Sequence, residues 1–301
     1  MSPKIKLKTL LETESLLVPC VYDCASARAV ELCGFKAMML SAAEMCMASK
    51  GMPDIGLISL DELLWVVTRI TDISPLPLAV DIEDGSGGPL NVFHTCERMA
   101  KAGASAVLLE DESSPGFAKG VVIDNILPRK EYYAKVKAAA SALQGSDCLL
   151  IARTNVDTRQ HLNEGIERCL GSLEAGADMT VIVRLNNLED AKIVSQRVPG
   201  WKMYPDLNQD MDMPEVDVED IYKLGFNFVT MHYLIKAAMA GMIEYGKINF
   251  ANNSNVYSNH QAPCGVAGQS GMPFFDPQRW LDFEGEFTGE KTLYKGPKLK
   301  I

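Results

Sequence analysis

The 301 residues are 47% hydrophobic and 23% charged, which suits one large domain, or two ordinary ones, built around a sizeable core. A formal net charge of −10 argues against a nucleic-acid groove or an anionic membrane surface, both of which need clustered Lys and Arg. No apolar run approaches the roughly 20 residues that span a bilayer, and the start MSPKIKLKTLLETESLL lacks the long apolar stretch of a secretory signal, so a cytoplasmic protein is expected.

Along the chain a short apolar, β-rich run, a polar break and a segment of helical spacing recur. The runs lie at 15–23, 35–42, 77–85, 104–111, 148–155, 177–183, 202–207 and 226–232, giving eight predicted strands. Between or after them the helical spacing falls at 25–34, 59–70, 90–103, 130–143, 162–176, 188–197, 217–225 and 234–246. Gly34, Gly103, Gly176 and Gly225 stand where left-handed caps would end helices. Near-continuous apolar strands alternating with amphipathic helices imply a parallel sheet covered by helices. Eight repeats favour an α/β fold of the (β/α)8 TIM-barrel type over 1–246. YDCASA after the first strand has no dinucleotide-binding glycine pattern. From 247 to 301 the repeat stops. Phe274, Phe275, Trp280 and Phe283 predict a C-terminal extension that packs on its own barrel or a neighbouring subunit, which suggests a homo-oligomer.

Eight cysteines, Cys20, Cys24, Cys33, Cys46, Cys96, Cys148, Cys169 and Cys264, show no C-x-x-C spacing and are read as mostly buried free thiols. In such a barrel the active site lies at the C-terminal strand ends. Those ends carry Tyr22-Asp23, Ser41, Asp81-Ile82-Glu83-Asp84-Gly85, Glu110-Asp111-Glu112, Arg153-Thr154-Asn155, Arg184, Asp206 and His232. Asp81, Glu83 and Glu110 meet on one rim, and that much negative charge calls for a cation; oxygen ligands alone suggest Mg²⁺ or Mn²⁺. Residues i and i+2 of a strand share a face, which suits Asp81 and Glu83 as co-ligands. Asp84, Asp111 and Glu112 are expected to be solvated loop acids. Arg153 either pairs with the rim acids or grips a substrate carboxylate. DGSGGP after the third strand lacks the Lys-Ser/Thr of a P-loop and reads as a tight loop. Of the histidines, His232 draws most attention because it ends the eighth strand.

These strand-end residues resemble those of the isocitrate lyase and phosphoenolpyruvate mutase superfamily. The likeness is to its short-chain branch, which includes methylisocitrate and dimethylmalate lyases, oxaloacetate-cleaving enzymes and phosphonopyruvate enzymes. The motifs are VYDCASARAVELCGFKAMMLSAA, KGMPDIGLISLDE, VDIEDGSGGPLNV, VLLEDESSPG and IARTN, within 15–185. The resemblance implies Mg²⁺ on Asp81, Glu83 and Glu110, with Glu83 replacing an Asp. It implies a substrate carboxylate held by Arg153 and by the turn at Ser41 and Ala42, where Ala42 and Ala43 replace Gly. Tyr22 and Asp81 would also line the substrate, Asp54 would lie near the metal, and a tetramer is favoured.

Departures accompany the likeness. The stretch Glu112–Gly120 lacks the lyases' Lys-Lys-Cys-Gly-His-type loop and the phosphonopyruvate enzymes' Asn. Val183 stands for a strand-6 Glu, and Asp206 to Gln209 for an Asn-x-x-Glu motif. The implied chemistry is the formation or collapse of an enolate beside a carboxylate, on a small 2-oxo or 2-hydroxy di- or tricarboxylate, under a gating loop at 112–124. Arg153 stabilises charge, and Lys119, a water at the metal or, more weakly, Asp54 does the acid–base work. Carbon–phosphorus chemistry and a binding barrel without turnover are the alternatives.

Overall fold

The computed structural model describes residues 5–112, 126–185, 187–207, 216–258 and 272–296. Eight parallel strands, β1 (Leu16–Val21), β2 (Met38–Leu40), β3 (Leu78–Asp81), β4 (Ala106–Glu110), β5 (Leu149–Thr154), β6 (Met179–Ile182), β7 (Trp201–Tyr204) and β8 (Phe228–Met231), pair in chain order, and β8 returns to β1. The chain is therefore a closed (β/α)8 barrel. Its helices are α1 (Leu7–Leu11), α2 (Cys24–Leu32), α3 (Ala42–Lys50), α4 (Leu60–Ile73), α5 (Pro89–Lys101), α6 (Arg129–Leu143), α7 (Thr158–Glu174), α8 (Leu188–Arg197), α9 (Val218–Lys223), α10 (Leu234–Asn252) and α11 (Pro277–Thr288). Each strand is shorter than its apolar run, because pairing stops where the backbone turns into the next helix.

Strand alternation separates two sets of side chains. Leu16, Val18, Cys20, Met39, Ala79, Ala106, Leu108, Leu149, Ile151, Met179, Val181 and Phe228 fill the barrel interior, joined by Leu7 and Leu11 of α1. The other parity, including Val21, Leu40, Val80, Val107, Leu109 and Leu150, faces the helices. Carrying the inward column upward brings Asp81, Glu110 and Arg153 to the mouth.

Gly34, Gly103, Gly176 and Gly225 all have positive φ, as their cap positions predict. At Gly176 (φ 108°) a Cβ would sit 2.8 Å from that of Ala140, so this αβ turn admits no side chain. Helix α3 was not foreseen. Its apolar residues lack a clear stripe, and it forms on the Ser41 cap, whose hydroxyl accepts from the Glu44 N–H at 3.2 Å. Helix α11, in the C-terminal region, was not foreseen either.

The chain divides into two compact units, Met1–Ile235 and Lys236–Ile301. The second holds most of α10, which buries no residue, a 3-10 turn (Met272–Phe275) and α11, where Phe283 and Phe287 meet edge to face at 5.1 Å. Among the described residues no helix is long and apolar enough to cross a membrane.

Candidate active site

The registers explain why the rim residues meet. Glu110 and Arg153 are Cα partners on β4 and β5, and Arg153 Nη1 lies 2.8 Å from Glu110 Oε1 and 4.0 Å from Asp81 Oδ2. Asp81 ends β3 facing the same mouth. Glu83 arrives by another route than strand alternation: the strand stops at Asp81, Ile82 faces the helices, and Glu83 turns back at φ 53°. That left-handed conformation is held from both sides. The Glu83 N–H donates to Asp81 Oδ1 (3.0 Å), and its carbonyl accepts from the Glu110 N–H (2.8 Å). A non-glycine residue there costs of order 1–3 kcal/mol, and such strain collects at functional sites. One carboxylate oxygen each from Asp81, Glu83 and Glu110 then lies within 4.8 Å of the others.

This donor set fits a divalent cation. Asp81 and Glu110 are buried, all three candidate ligand atoms are hard oxygens, and such a concentration of carboxylates suits a divalent cation. Arg153 answers to that charge: burial lowers its pKa, but Glu110, Asp81, Glu83 and Glu112 outweigh it and raise the pKa above its ordinary value. Its Nε and Nη2 both donate to Asn155 Oδ1 (3.2 and 2.9 Å), and Asn155 Nδ2 donates to Glu110 Oε2 (3.0 Å). Asn155 thereby fixes the Arg153 fork and the Glu110 carboxylate together, a role that sequence reading did not assign to it.

Asp111 and Glu112 correct the expectation of solvated loop acids, since both are buried. Asp111 accepts from Thr154 Oγ1 (2.6 Å), the Asn155 N–H (2.8 Å) and Arg168 Nη1 (3.0 Å). It clamps the end of β5 from behind, and Arg168, a core residue of α7, could be matched to it only through tertiary contact. Burial pushes the Asp111 carboxyl up, against the pull of Thr154, Asn155 and Arg168. Asp84 is half-buried, 3.5 Å from Lys135 Nζ.

DGSGGP is the tight loop expected. Ser86 and Gly87 share positive φ with Gly85, where a Cβ would fall 2.6 Å from Val92 Cγ2. Gly88 and Pro89 then start α5. Ser41 is buried as the α3 cap, and Ala42 behind it lines a cavity of 440 Å³ together with Glu83, Glu112, Ile58 and Leu63, a volume suited to a small molecule. Asp54 is half-buried in the loop before α4, and both it and Glu83 act on the Cys46 thiol, which burial, first of all, pushes up. Tyr22 is half-buried against the helix-side core. Lys119, with 113–124 of the proposed gating segment, and Asn208-Gln209 lie outside the described residues. The seven described cysteines are free.

A second polar cluster occupies the β8–β1 side of the mouth. His232 Nδ1 lies 3.0 Å from Glu44 Oε1, and its Nε2 lies 3.4 Å from Cys20 Sγ. Of these, sequence reading had marked only His232.

Among curated proteins the chain is 34% identical over 231 residues to the petal death protein of Dianthus caryophyllus (75% of this chain, 71% of the relative). It is 28% identical over 228 residues to the 2,3-dimethylmalate lyase of Eubacterium barkeri (75% and 78%). Among solved structures, oxaloacetate acetylhydrolase superposes with a TM-score of 0.81 at 25% identity, covering 94% of this chain and 98% of that one. The family model for phosphoenolpyruvate phosphomutase matches residues 7–247. The closed barrel and the acid rim agree with that match. The chain belongs to the phosphoenolpyruvate phosphomutase family and is an enzyme of the lyase or mutase type found in the phosphoenolpyruvate mutase/isocitrate lyase superfamily.

Proposed function

We propose that this enzyme is a Mg²⁺-dependent carbon–carbon lyase, or a decarboxylase-like variant, acting on a small 2-oxo or 2-hydroxy di- or tricarboxylate through an enolate. The observation that carries this reading is the set Asp81, Glu83 and Glu110 with Arg153 beside it at the C-terminal strand ends. Those three carboxylates would hold Mg²⁺, or Mn²⁺, which supplies Lewis acidity to the oxygen where charge develops. Arg153, braced by Glu110 and Asn155, presents its guanidinium to a substrate carboxylate, with Ser41 and Ala42 facing that group from the start of α3. Asp81 and Tyr22 complete the substrate lining. Removal of the hydroxyl proton as the bond breaks is assigned to Lys119 or, more weakly, Asp54. The segment from Glu112 to Asp124 excludes water when it closes.

Carbon–phosphorus chemistry on a phosphonopyruvate-like substrate is the second reading, favoured by the family match. Phosphate release from phosphonopyruvate would select it. We place the enzyme in the cytoplasm, in keeping with its free thiols, as a homo-oligomer, a tetramer by its resemblance, without nucleic-acid or membrane partners.

Thermal unfolding with Mg²⁺, with oxalate as an enolate mimic, and with both, tests the site in wild type and Asp81→Ala. The expected result is a shift that needs both ligands and disappears in the variant. No shift in wild type would overturn the assignment.

A further inference from the structure

A long side chain has many rotamers, so the aim of Arg153 depends on its neighbours. Asn155 Oδ1 engages two of the five guanidinium N–H groups, from Nε (3.2 Å) and Nη2 (2.9 Å), and thereby decides which way the others face. Asn155 Nδ2 donates to Glu110 Oε2 (3.0 Å), so the same amide steadies a rim carboxylate. What holds Asn155 is Asp111.

Asp111 touches three consecutive residues at the end of β5. Its N–H donates to the Arg153 carbonyl (3.2 Å), its Oδ2 accepts from Thr154 Oγ1 (2.6 Å), and its Oδ1 accepts from the Asn155 N–H (2.8 Å). The paired ladder of β4 and β5 ends with Glu110 and Arg153, and beyond it the Asp111 carboxylate does what a further rung would do. Arg168, on α7, donates from Nη1 to Asp111 Oδ2 (3.0 Å) and to the Leu127 carbonyl (2.9 Å), and from Nε to Glu164 Oε1 (2.8 Å). The Leu127 N–H donates in turn to the Asp111 carbonyl (2.7 Å). Asp111 and Arg168 are both buried. A buried ion pair adds little net stability over apolar side chains of like volume, so this one counts for direction. Three donors converge on two carboxylate oxygens, a geometry that neither an amide nor an apolar side chain reproduces.

We propose that Asp111, with Arg168 behind it, is a positioning residue for substrate binding, acting through Asn155 on the aim of Arg153. The inference rests on the reading above in which Arg153 grips a substrate carboxylate. It puts a determinant of substrate affinity on α7, one strand and one helix away from the group that touches substrate.

Calorimetric titration with oxalate at saturating Mg²⁺, well below each melting midpoint, tests it in wild type, Asp111→Asn, Asn155→Ala and the double variant. Asp111→Asn turns an amide N–H toward one of the donors. This variant and Asn155→Ala should each bind oxalate about 10-fold more weakly than wild type. The double variant should bind no more weakly than Asn155→Ala alone, because with the amide gone Asp111 has nothing left to aim. Thr154→Val removes one donor but leaves Asp111 paired with Arg168, and it keeps the inference testable should Asp111→Asn not fold. It should weaken oxalate about threefold by itself and not at all beside Asn155→Ala. A merely structural role would lower the melting midpoint and leave oxalate affinity as in wild type, and that outcome overturns the inference. So do additive losses in the double variants. If wild type binds no oxalate with Mg²⁺, the carboxylate site itself falls and takes this inference with it.

Discussion

At the scale of single residues, the most telling position is Glu83, a charged side chain at φ 53° where glycine would be relaxed. Its conformation is kept by Asp81 Oδ1 and the Glu110 N–H, so the backbone is bent to deliver a third carboxylate. Replacing Glu83 with Ala or with Gly removes the carboxylate equally, while only Gly relieves the backbone. Both variants should lose most of the Mg²⁺-dependent stabilisation in a thermal melt. Without ligand, Glu83→Gly should be more stable than Glu83→Ala by about 1 kcal/mol in urea unfolding. Equal stabilities would show that the left-handed turn carries no strain. Arg153 illustrates the other residue-scale lesson. Its apolar lead-in LLIA and strand-end place were legible in sequence, but the two alternatives for it were not separable there. The structure pairs it with Glu110, and Asn155, which accepts from Nε and Nη2, fixes where the guanidinium points.

At the scale of elements, helix starts decide where the mouth residues go. Helix α4 begins with a reciprocal cap in which Ser59 accepts from the Glu62 N–H and the Glu62 carboxylate accepts from the Ser59 N–H (2.8 Å), with Lys50 Nζ 2.6 Å away. The Lys50 hydrogen bond, then those from Ser59, lower the Glu62 pKa to about 2. For a carboxylate depressed on folding, the stability it adds is fully present above its unfolded value, about 4.3, and is lost as pH falls through the folded value. The wild-type advantage over Glu62→Gln in urea midpoint should therefore be constant above about pH 5 and shrink toward pH 2. A pH-independent difference would mean that the cap works without the charge. Helix α3 belongs to the same scale. It lacks a hydrophobic stripe, so periodicity missed it, and with it went Glu44, whose partner His232, just past β8, is 188 residues away.

At the scale of the whole molecule, the region from Lys236 onward exposes Met239, Met242, Ile243, Phe250, Trp280, Phe283 and Phe287. Helix α10 has no buried residue, a condition that apolar side chains rarely keep in a monomer. The expected outcome in analytical ultracentrifugation is an oligomer in wild type, and dissociation toward smaller species in Met242→Glu combined with Phe250→Glu. A monomeric wild type would remove the oligomer from the proposed function. The barrel itself needs no such partner to place its acids, because Asp81, Glu83, Glu110 and Arg153 all lie within the first compact unit.

The sequence by itself determined the eight-fold alternation and the strand ends, because inward and outward residues alternate along each strand and αβ turns need glycine at positive φ. From these it placed Asp81, Glu110 and Arg153 on one rim. Tertiary structure alone decided how Glu83 reaches that rim, that Asp111 and Glu112 are buried, and that Glu44 meets His232. Each of these depends on a turn or a pairing between elements far apart in the chain, where local periodicity carries no information about which side chain will be opposite.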